Sequence, residues 1–282
     1  MSLKEELMEA LAITCSNLKK LTINCIGNNQ SLAYLHNFAH LNELTLANTH
    51  SLLAFTFDGP FLDALKSALG KQLKRLHLIY IKRVNLKSIA QHCPNLVWLN
   101  VEFASNYEPT TTSEGGDVEG SEAENYLSLE SLRYLSLSNY SFKQIKSDKS
   151  TLLRAHIEHL VNHGKLKHML MRNLNELNSD FFYALFSKPL TLVLEPDGAE
   201  SPSRTLVQVC NMFCHQSIEK LELKQMHHID IHLIRDKFFN PKVPTKLTQL
   251  SLDECKQITR QDFYKLNGIV KHNNLDCSIS WS

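Results

Sequence analysis

Three features are missing from this sequence, and each absence argues against a class of protein. No stretch approaches the about eighteen apolar residues that a membrane-spanning helix needs, so the sequence predicts no such helix. Neither sign of charge dominates, since 30 Lys and Arg face 29 Asp and Glu, which argues against a general nucleic-acid or anionic-membrane binder. No Gly-rich phosphate loop, G-x-S-x-G or H-E-x-x-H motif occurs, so no residue constellation favours an enzyme or a bound cofactor.

The N-terminal stretch MSLKEELMEALAITC also lacks the apolar segment of a secretory signal. The chain contains seven cysteines. In a protein without such a signal, these cysteines predict a reducing compartment, cytoplasmic or nuclear, with the thiols free.

What the sequence does contain is one pattern that recurs along its length. The pattern reads L-x-x-L-x-L-x-x-N/C and is clearest in residues 18–25, 41–48 and 132–139. Its units begin at positions 18, 41, 73, 96, 132, 166, 187, 218, 247 and 272. The mean step of about 28 residues lies within the roughly 20–29 residues that are typical of leucine-rich repeats.

The spacing of the leucines has a simple physical interpretation. Leucines at the first, fourth and sixth positions point into a shared core from a short strand, and the next residues turn the chain towards a returning helix. Residues 60–70 predict such a helix, with Pro60 in its first turn and Gly70 at its C-cap. No unit could bury its leucines alone, but stacked units could. The alternative is an ordinary α/β core in which the spacing is accidental.

Cysteines near the strands make the resemblance more specific. The segments CSNLKKLTINC (15–25) and HCPNLVWLNVEF (92–103) place a cysteine three residues before the first leucine. The segment LTQLSLDECKQITRQDF (247–263) places a cysteine and an Ile-Thr pair after the strand. These repeats resemble the cysteine-containing leucine-rich repeats of F-box/LRR proteins, the substrate receptors of cullin–RING ubiquitin ligases. The resemblance implies an α/β leucine-rich-repeat solenoid, a right-handed horseshoe with parallel strands on the concave face and helices on the convex face.

The same resemblance implies substrate recognition for an SCF-type ubiquitin ligase. An F-box precedes the repeats in that family, but residues 1–17 are too few for one and instead predict a helix over 3–14. Contacts with cullin–RING ligase components would therefore need an F-box upstream of this sequence. The alternative is a stand-alone repeat scaffold or inhibitor with no role in ubiquitin transfer.

The repeats predict a single domain, 1–282, of about ten irregular units. One segment, 104–126, does not fit the array, because it is acidic, rich in Ser, Thr and Gly, and free of Lys and Arg. That composition predicts a disordered acidic loop between the fourth and fifth strands. It is either a regulatory segment or a tolerated surface insertion.

Four Cys and His residues form one candidate metal site. Cys210, Cys214, His227 and His232 have the loose spacing of a zinc finger. However, the spacer contains residues 218–225, which the repeat pattern assigns to a strand that would hold the two halves apart. We therefore expect no metal ligands here, but buried repeat cysteines and surface histidines.

The concave face is the predicted site of function, because the third, fifth and seventh positions of each unit point out of the sheet there. Near its centre these positions carry aromatic, basic and amide side chains, which are typical of protein-binding hot spots. The predicted partner-binding residues are Arg75, His77, Trp98, Asn100, Tyr134, His168 and Arg172. The alternative is that Trp98 packs under the acidic loop or against a neighbouring repeat as part of the solenoid filling.

Overall fold

The computed structural model describes residues 5–24, 30–48, 57, 59–81, 84, 86–102, 129–138, 165–172, 191–195, 218–227, 229–242 and 245–282. The chain divides into two units, Met1–Lys165 and Leu166–Ser282. The predicted acidic loop at 104–126 lies outside the described residues. Both this loop and the division into about ten repeats of one domain stay predictions.

Short parallel strands, paired in chain order, form the sheet of each unit. The strands of the first unit are β1 (Lys20–Asn24), β2 (Glu43–Ala47), β3 (Arg75–Ile79), β4 (Trp98–Glu102) and β5 (Tyr134–Ser138). Those of the second are β6 (His168–Arg172), β7 (Thr191–Glu195), β8 (Lys220–Lys224), β9 (Gln249–Asp253) and β10 (Ser278–Trp281). Corresponding positions of neighbouring repeats pair with each other, as Leu76 does with Leu44 and Leu99.

The leucine pattern produces these strands because alternate side chains point to opposite faces. In β3, Leu76 and Leu78 are fully buried, whereas Arg75 is exposed and His77 is half-buried. The helical segments and the residues directly after them contribute further buried residues to the core of each unit, among them Phe38 and Phe61 in the first unit and Phe238 and Phe239 in the second. This strand–helix alternation confirms the predicted α/β solenoid.

Two of the ten predicted repeat positions were wrong in register. Eight strands begin two residues after the predicted start of their unit, but β7 begins at Thr191, four residues after position 187. A slip of two residues keeps every side chain on its face, so the run of alternating leucines at 190–194 could not reveal it. The strand β10 begins at Ser278, six residues after position 272, because the last helix extends to His272.

Helical segments connect the strands. The first unit has α1 (Glu5–Thr14), a 3₁₀ helix (Gln30–Asn37), α2 (Gly59–Lys66), α3 (Ala68–Gln72) and α4 (Leu86–His92). The second unit has α5 (Ile231–Phe238) and α6 (Arg260–His272). Within the described ranges, no helix is long and apolar enough to span a bilayer.

The helix predicted over 60–70 is divided in two at Ser67. The Ser67 hydroxyl donates to the carbonyl of Ala64 and accepts from the backbone N–H of Leu69, so it ends α2 and caps α3. Pro60 lies in the first turn of α2, as predicted. Gly70 lies inside α3 rather than at a C-cap, and an added Cβ would be 2.0 Å from the Leu65 carbonyl oxygen and 2.5 Å from that of His92. Glycine is needed there because two backbones approach it closely.

The turns after the strands share a structure that the leucine pattern did not predict. The eighth position of three units has a positive φ, at Tyr80, Gln225 and Glu254. Buried apolar residues follow at the ninth and twelfth positions. They are Ile81 and Val84 after β3, Met226 and Ile229 after β8, and Cys255 and Ile258 after β9.

These turns lead directly into the helices that follow β8 and β9. Asp230 caps α5, since its carboxylate accepts from the backbone N–H of Leu233 at 2.8 Å. Thr259 caps α6 and forms a capping box with Asp262. The chain therefore passes from strand β9 through a tight turn at Cys255 to the capped helix α6.

Two of the cysteines that carry the family resemblance fill buried positions beside the strands, Cys93 before β4 and Cys255 in the turn after β9. Cys93 is fully buried three residues before Leu96 and has the same place as the buried Phe38 and Leu129 in other repeats. Cys255 is also buried, and its Sγ lies 3.5 Å from the carbonyl oxygen of Leu223 in the preceding repeat. Cys15, at the first of these positions, is exposed. The four cysteines in the described ranges are free thiols.

Replacing a glycine by alanine should have opposite effects on stability in α3, which contains Gly70, and in α6, which contains Gly268. Gly70→Ala should lower the free energy of unfolding by about 3 kcal/mol or more, because the carbonyls of Leu65 and His92 belong to packed backbone and cannot move aside cheaply. The matched control is Gly268→Ala in α6, where a Cβ meets nothing within 4 Å. It should raise stability by up to about 1 kcal/mol. Thermal unfolding followed by circular dichroism measures both, and a normal melting temperature for Gly70→Ala would contradict the close packing.

The exposed and the buried cysteines should differ in how fast they are alkylated. Burial raises the pKa of the Cys93 thiol to about 12 and that of Cys255 to about 11, so almost no reactive thiolate forms at pH 8. Iodoacetamide should therefore modify the exposed Cys15 in the native protein and leave Cys93 and Cys255 unmodified until denaturant is added. Peptide mapping by mass spectrometry reads each site separately. Equal modification of Cys15 and Cys93 without denaturant would show that the first unit is not packed as described.

Candidate functional site

Five of the predicted binding residues lie together on the sheet of the first unit. Arg75 and His77 come from β3, Trp98 and Asn100 from β4, and Tyr134 from β5. The strand register pairs Trp98 with both Arg75 and Tyr134, and Asn100 with His77. We call the surface formed by the third, fifth and seventh positions of the four units that contain β2 to β5 the open face, although Ala47, Asn100, Ser136 and Ser138 on it are buried. Its side chains point away from the buried leucines of the same strands.

The aromatic side chains of the open face contact one another. The rings of Trp98 and Tyr134 are stacked, with centroids 5.2 Å apart and planes inclined by 12°. The imidazole of His77 meets Trp98 at 81°, with centroids 5.6 Å apart. Stacked and edge-to-face contacts each stabilise an aromatic pair by about 0.5–1.5 kcal/mol beyond burial. The three rings therefore form a pre-ordered group, although Trp98 and Tyr134 are only half-buried.

A polar network lies beside the aromatic group. The side-chain amide Nδ2 of Asn100 donates to Glu102 Oε1 at 2.7 Å and lies 2.7 Å from His77 Nε2. His77 Nε2 is itself 3.4 Å from Glu102 Oε1. Asn100 is buried, which fixes the network on the floor of the open face. The sequence prediction omitted Glu102, although its seventh position in the unit already placed it on this face.

Charged side chains flank the other side of the aromatic group. Glu43 Oε2 pairs with Lys20 Nζ at 2.8 Å, and Glu43 Oε1 lies 3.7 Å from Arg75 Nε. The Arg75 side chain remains 60% exposed. An open depression of about 160 Å³ lies between these groups, lined by Glu43, Leu44, Thr45, Arg75, His77 and Trp98. It has room for one side chain of a partner.

The remaining predicted residues, His168 and Arg172, lie on β6 in the second unit. Arg172 Nε pairs with Glu195 Oε2 at 2.8 Å on the neighbouring β7. The corrected register of β7 also places Val193 beside Leu170, at the fifth position of each unit. Both side chains are half-buried, so this part of the sheet has two adjacent apolar side chains at outward positions.

The candidate zinc ligands are only partly described. Cys210 and Cys214 lie outside the described residues, His227 follows β8, and His232 is exposed in α5. The strand β8 lies in the spacer, where the repeat pattern placed it. In the described part of the chain, no three His, Cys, Asp or Glu side chains form a group that could hold a metal ion.

Comparison with known proteins gave structural similarities but no sequence match. No protein-family model matches the chain, and no curated protein matches it. A chain from the crystal structure of the Rad7 and Elc1 complex in yeast is similar, with 13% sequence identity and a TM-score of 0.40. The similarity covers 92% of this chain and 75% of that chain.

Neighbouring residues of β4 predict a sharp contrast in stability. Trp98→Ala should lower the free energy of unfolding by only about 1 kcal/mol, since it removes a half-buried ring and the stacking contact between Trp98 and Tyr134. Leu99→Ala should lower it by about 2–5 kcal/mol, because Leu99 is fully buried. Chemical denaturation of both variants tests this contrast. Equal losses would show that Trp98 fills the solenoid instead of serving the open face.

Proposed function

We propose that this chain is a non-catalytic protein-binding module that contacts its partner through the open face of the first unit. The observation that carries the proposal is the stacked pair Trp98 and Tyr134 with His77 against its edge. These rings stay half-buried on strands whose alternate residues are fully buried leucines or, at Val101, a valine. Rigid Trp and Tyr side chains at the centre of a surface, with Arg beside them, are typical of binding hot spots.

The surroundings of the aromatic group also support a binding role. Hot spots are usually surrounded by polar contacts that exclude water from the centre. Here the Asn100–Glu102 hydrogen bond lies on one side and the Lys20–Glu43 ion pair on the other. The depression between Glu43 and Trp98 offers a place for a partner's side chain. The group is therefore ordered before binding, which reduces the entropic cost of association.

More specifically, we propose substrate recognition for an SCF-type ubiquitin ligase in the cytoplasm or nucleus. This finer proposal rests on the resemblance to the cysteine-containing repeats of F-box/LRR proteins. The second candidate is a stand-alone scaffold or inhibitor on the same fold. The two differ in their consequences for the partner, since a ubiquitin-ligase receptor shortens its lifetime and a scaffold does not.

Replacing Trp98 by Ala tests the binding proposal. The variant should bind its partner at least about 30-fold more weakly, corresponding to about 2 kcal/mol for the loss of an aromatic hot spot. Partners are identified by crosslinking mass spectrometry of the tagged chain in cells, and their affinity is then measured with purified proteins. Thr22→Ala on β1 is the matched control, since this exposed threonine lies at the fifth position of its repeat unit, away from the aromatic group. It should bind like the unmodified chain.

The outcomes separate the candidate functions. If Trp98→Ala folds normally and holds every partner, the open face is not the binding surface. If binding is lost, the partner's half-life decides between the two finer functions. A partner that is stabilised both by cullin inhibition and by Trp98→Ala supports the ubiquitin-ligase role, and one unaffected by either supports the scaffold.

A further inference from the structure

Positive charge is concentrated at the N-terminal ends of the strands in the first unit's sheet, which together form one edge of that sheet. This edge is formed by the residues that lead into the strands, at 15–20, 38–43, 70–75, 92–98 and 129–134. Six basic side chains lie here against two acidic ones, Glu43 and Glu130, an excess of four, although the whole chain has a net charge of only +1. We call the six the basic rim. They are Lys19, Lys20, Lys71, Lys74, Arg75 and Arg133.

Most of the basic rim is not neutralised within the described residues. Lys20 is paired with Glu43 at 2.8 Å, and Arg75 approaches the same carboxylate at 3.7 Å. Lys19, Lys71, Lys74 and Arg133 are exposed and have no ion pair in the described part of the chain. The other acid of the open face, Glu102, accepts a hydrogen bond from Asn100.

The rim and the aromatic group form one continuous surface because the strands are in register. Arg75, Trp98 and Tyr134 occupy the same position on three adjacent strands, and their neighbours Lys74 and Arg133 precede them directly. Adjacent strands are about 4.8 Å apart, and alternate residues of an extended peptide are about 6.6 Å apart. An extended segment that crosses the strands could therefore place carboxylates on the rim and an apolar side chain beside Trp98.

From this arrangement we infer that the partner contacts the first unit through an acidic, extended protein segment that carries an apolar or aromatic side chain. Its carboxylates lie on the basic rim, and its apolar side chain enters the depression between Arg75 and Trp98. The inference rests on the proposed function, since it specifies the partner of the same open face. Charge complementarity of this kind raises the association rate and selects the partner.

Two features favour an acidic protein over a nucleic acid. Stacking on Tyr134 already covers one face of the Trp98 ring, so the ring offers little platform for a base. The carboxylates of Glu43 and Glu102 lie on the open face, where they would repel a phosphate backbone that follows it. A protein segment can instead direct a lysine, an amide or an apolar side chain to these positions.

Selection of random dodecapeptides on the full-length chain by phage display tests the inference. The unmodified chain should enrich Asp and Glu at least about twofold over the starting library, with an apolar residue among them. In the rim variant Lys19→Glu, Lys74→Glu, Arg133→Glu, this preference should disappear or change to Lys and Arg. The matched control makes the same change of charge on the second unit, at the exposed Lys242, Lys246 and Lys271. It should select the same peptides as the unmodified chain.

A second measurement uses the most enriched synthetic peptide. Its dissociation constant, measured by fluorescence anisotropy, should increase at least about tenfold between 50 and 300 mM NaCl, because exposed charge pairs are screened. The rim variant should bind it at least about tenfold more weakly than the control variant does. Circular dichroism confirms that each variant is folded.

The results distinguish failure of this inference from failure of the proposed function. Suppose that the chain selects peptides and that Trp98→Ala abolishes their binding. If these peptides show no acidic preference, or bind the rim variant normally, the inference is wrong but the open face remains the binding surface. If Trp98→Ala binds every selected peptide, both are wrong. The inference is also overturned if the chain enriches no peptide over the bare support. It is overturned as well if a single-stranded oligonucleotide binds more tightly than the acidic peptides and displaces them.

Discussion

The two-residue alternation of side chains in parallel strands is the constraint on which the rest of this protein depends. Backbone pairing keeps neighbouring repeats in register, so that a leucine such as Leu76 always lies beside Leu44 and Leu99. The inward residues are then committed to the core, while the outward residues can vary without cost to it. Arg75, Trp98 and Tyr134 are neighbours for this reason alone, although Trp98 and Tyr134 are far apart in the chain. The open face is thus a consequence of the repeat.

The turn after each strand is the second requirement, because the chain must leave the sheet without losing its backbone hydrogen bonds. Tyr80, Gln225 and Glu254 adopt positive φ there, while their N–H groups still donate to the neighbouring repeat, as that of Tyr80 does to Glu102. The buried residue that follows anchors the turn, and Cys255 is one of three side chains that do so. Two of the cysteines that suggested a family, Cys93 and Cys255, are therefore small apolar residues in buried positions.

Much of this architecture could be predicted from the sequence, and the failures have physical causes. The leucine spacing predicted eight strand positions, and the outward positions placed five residues of the candidate site together. A pattern of alternating leucines cannot detect a slip of two residues, which is why β7 was misplaced and Val193 was missed.

Ser67 breaks the predicted helix because its hydroxyl competes for backbone groups. Glu43 and Glu102 were overlooked because their importance comes from pairing with Lys20 and Asn100, which spacing alone does not show.

The central claim is that the partner lies against the outward residues of β3 to β5. Site-specific photocrosslinking tests it most directly. A photoreactive phenylalanine analogue replaces His77 or Tyr134 in separate variants, and in a third it replaces Tyr264, which is exposed on α6. The account predicts partner adducts from positions 77 and 134 and none from position 264. Adducts from position 264 alone would show that the partner binds the helical side of the molecule, and would contradict the account.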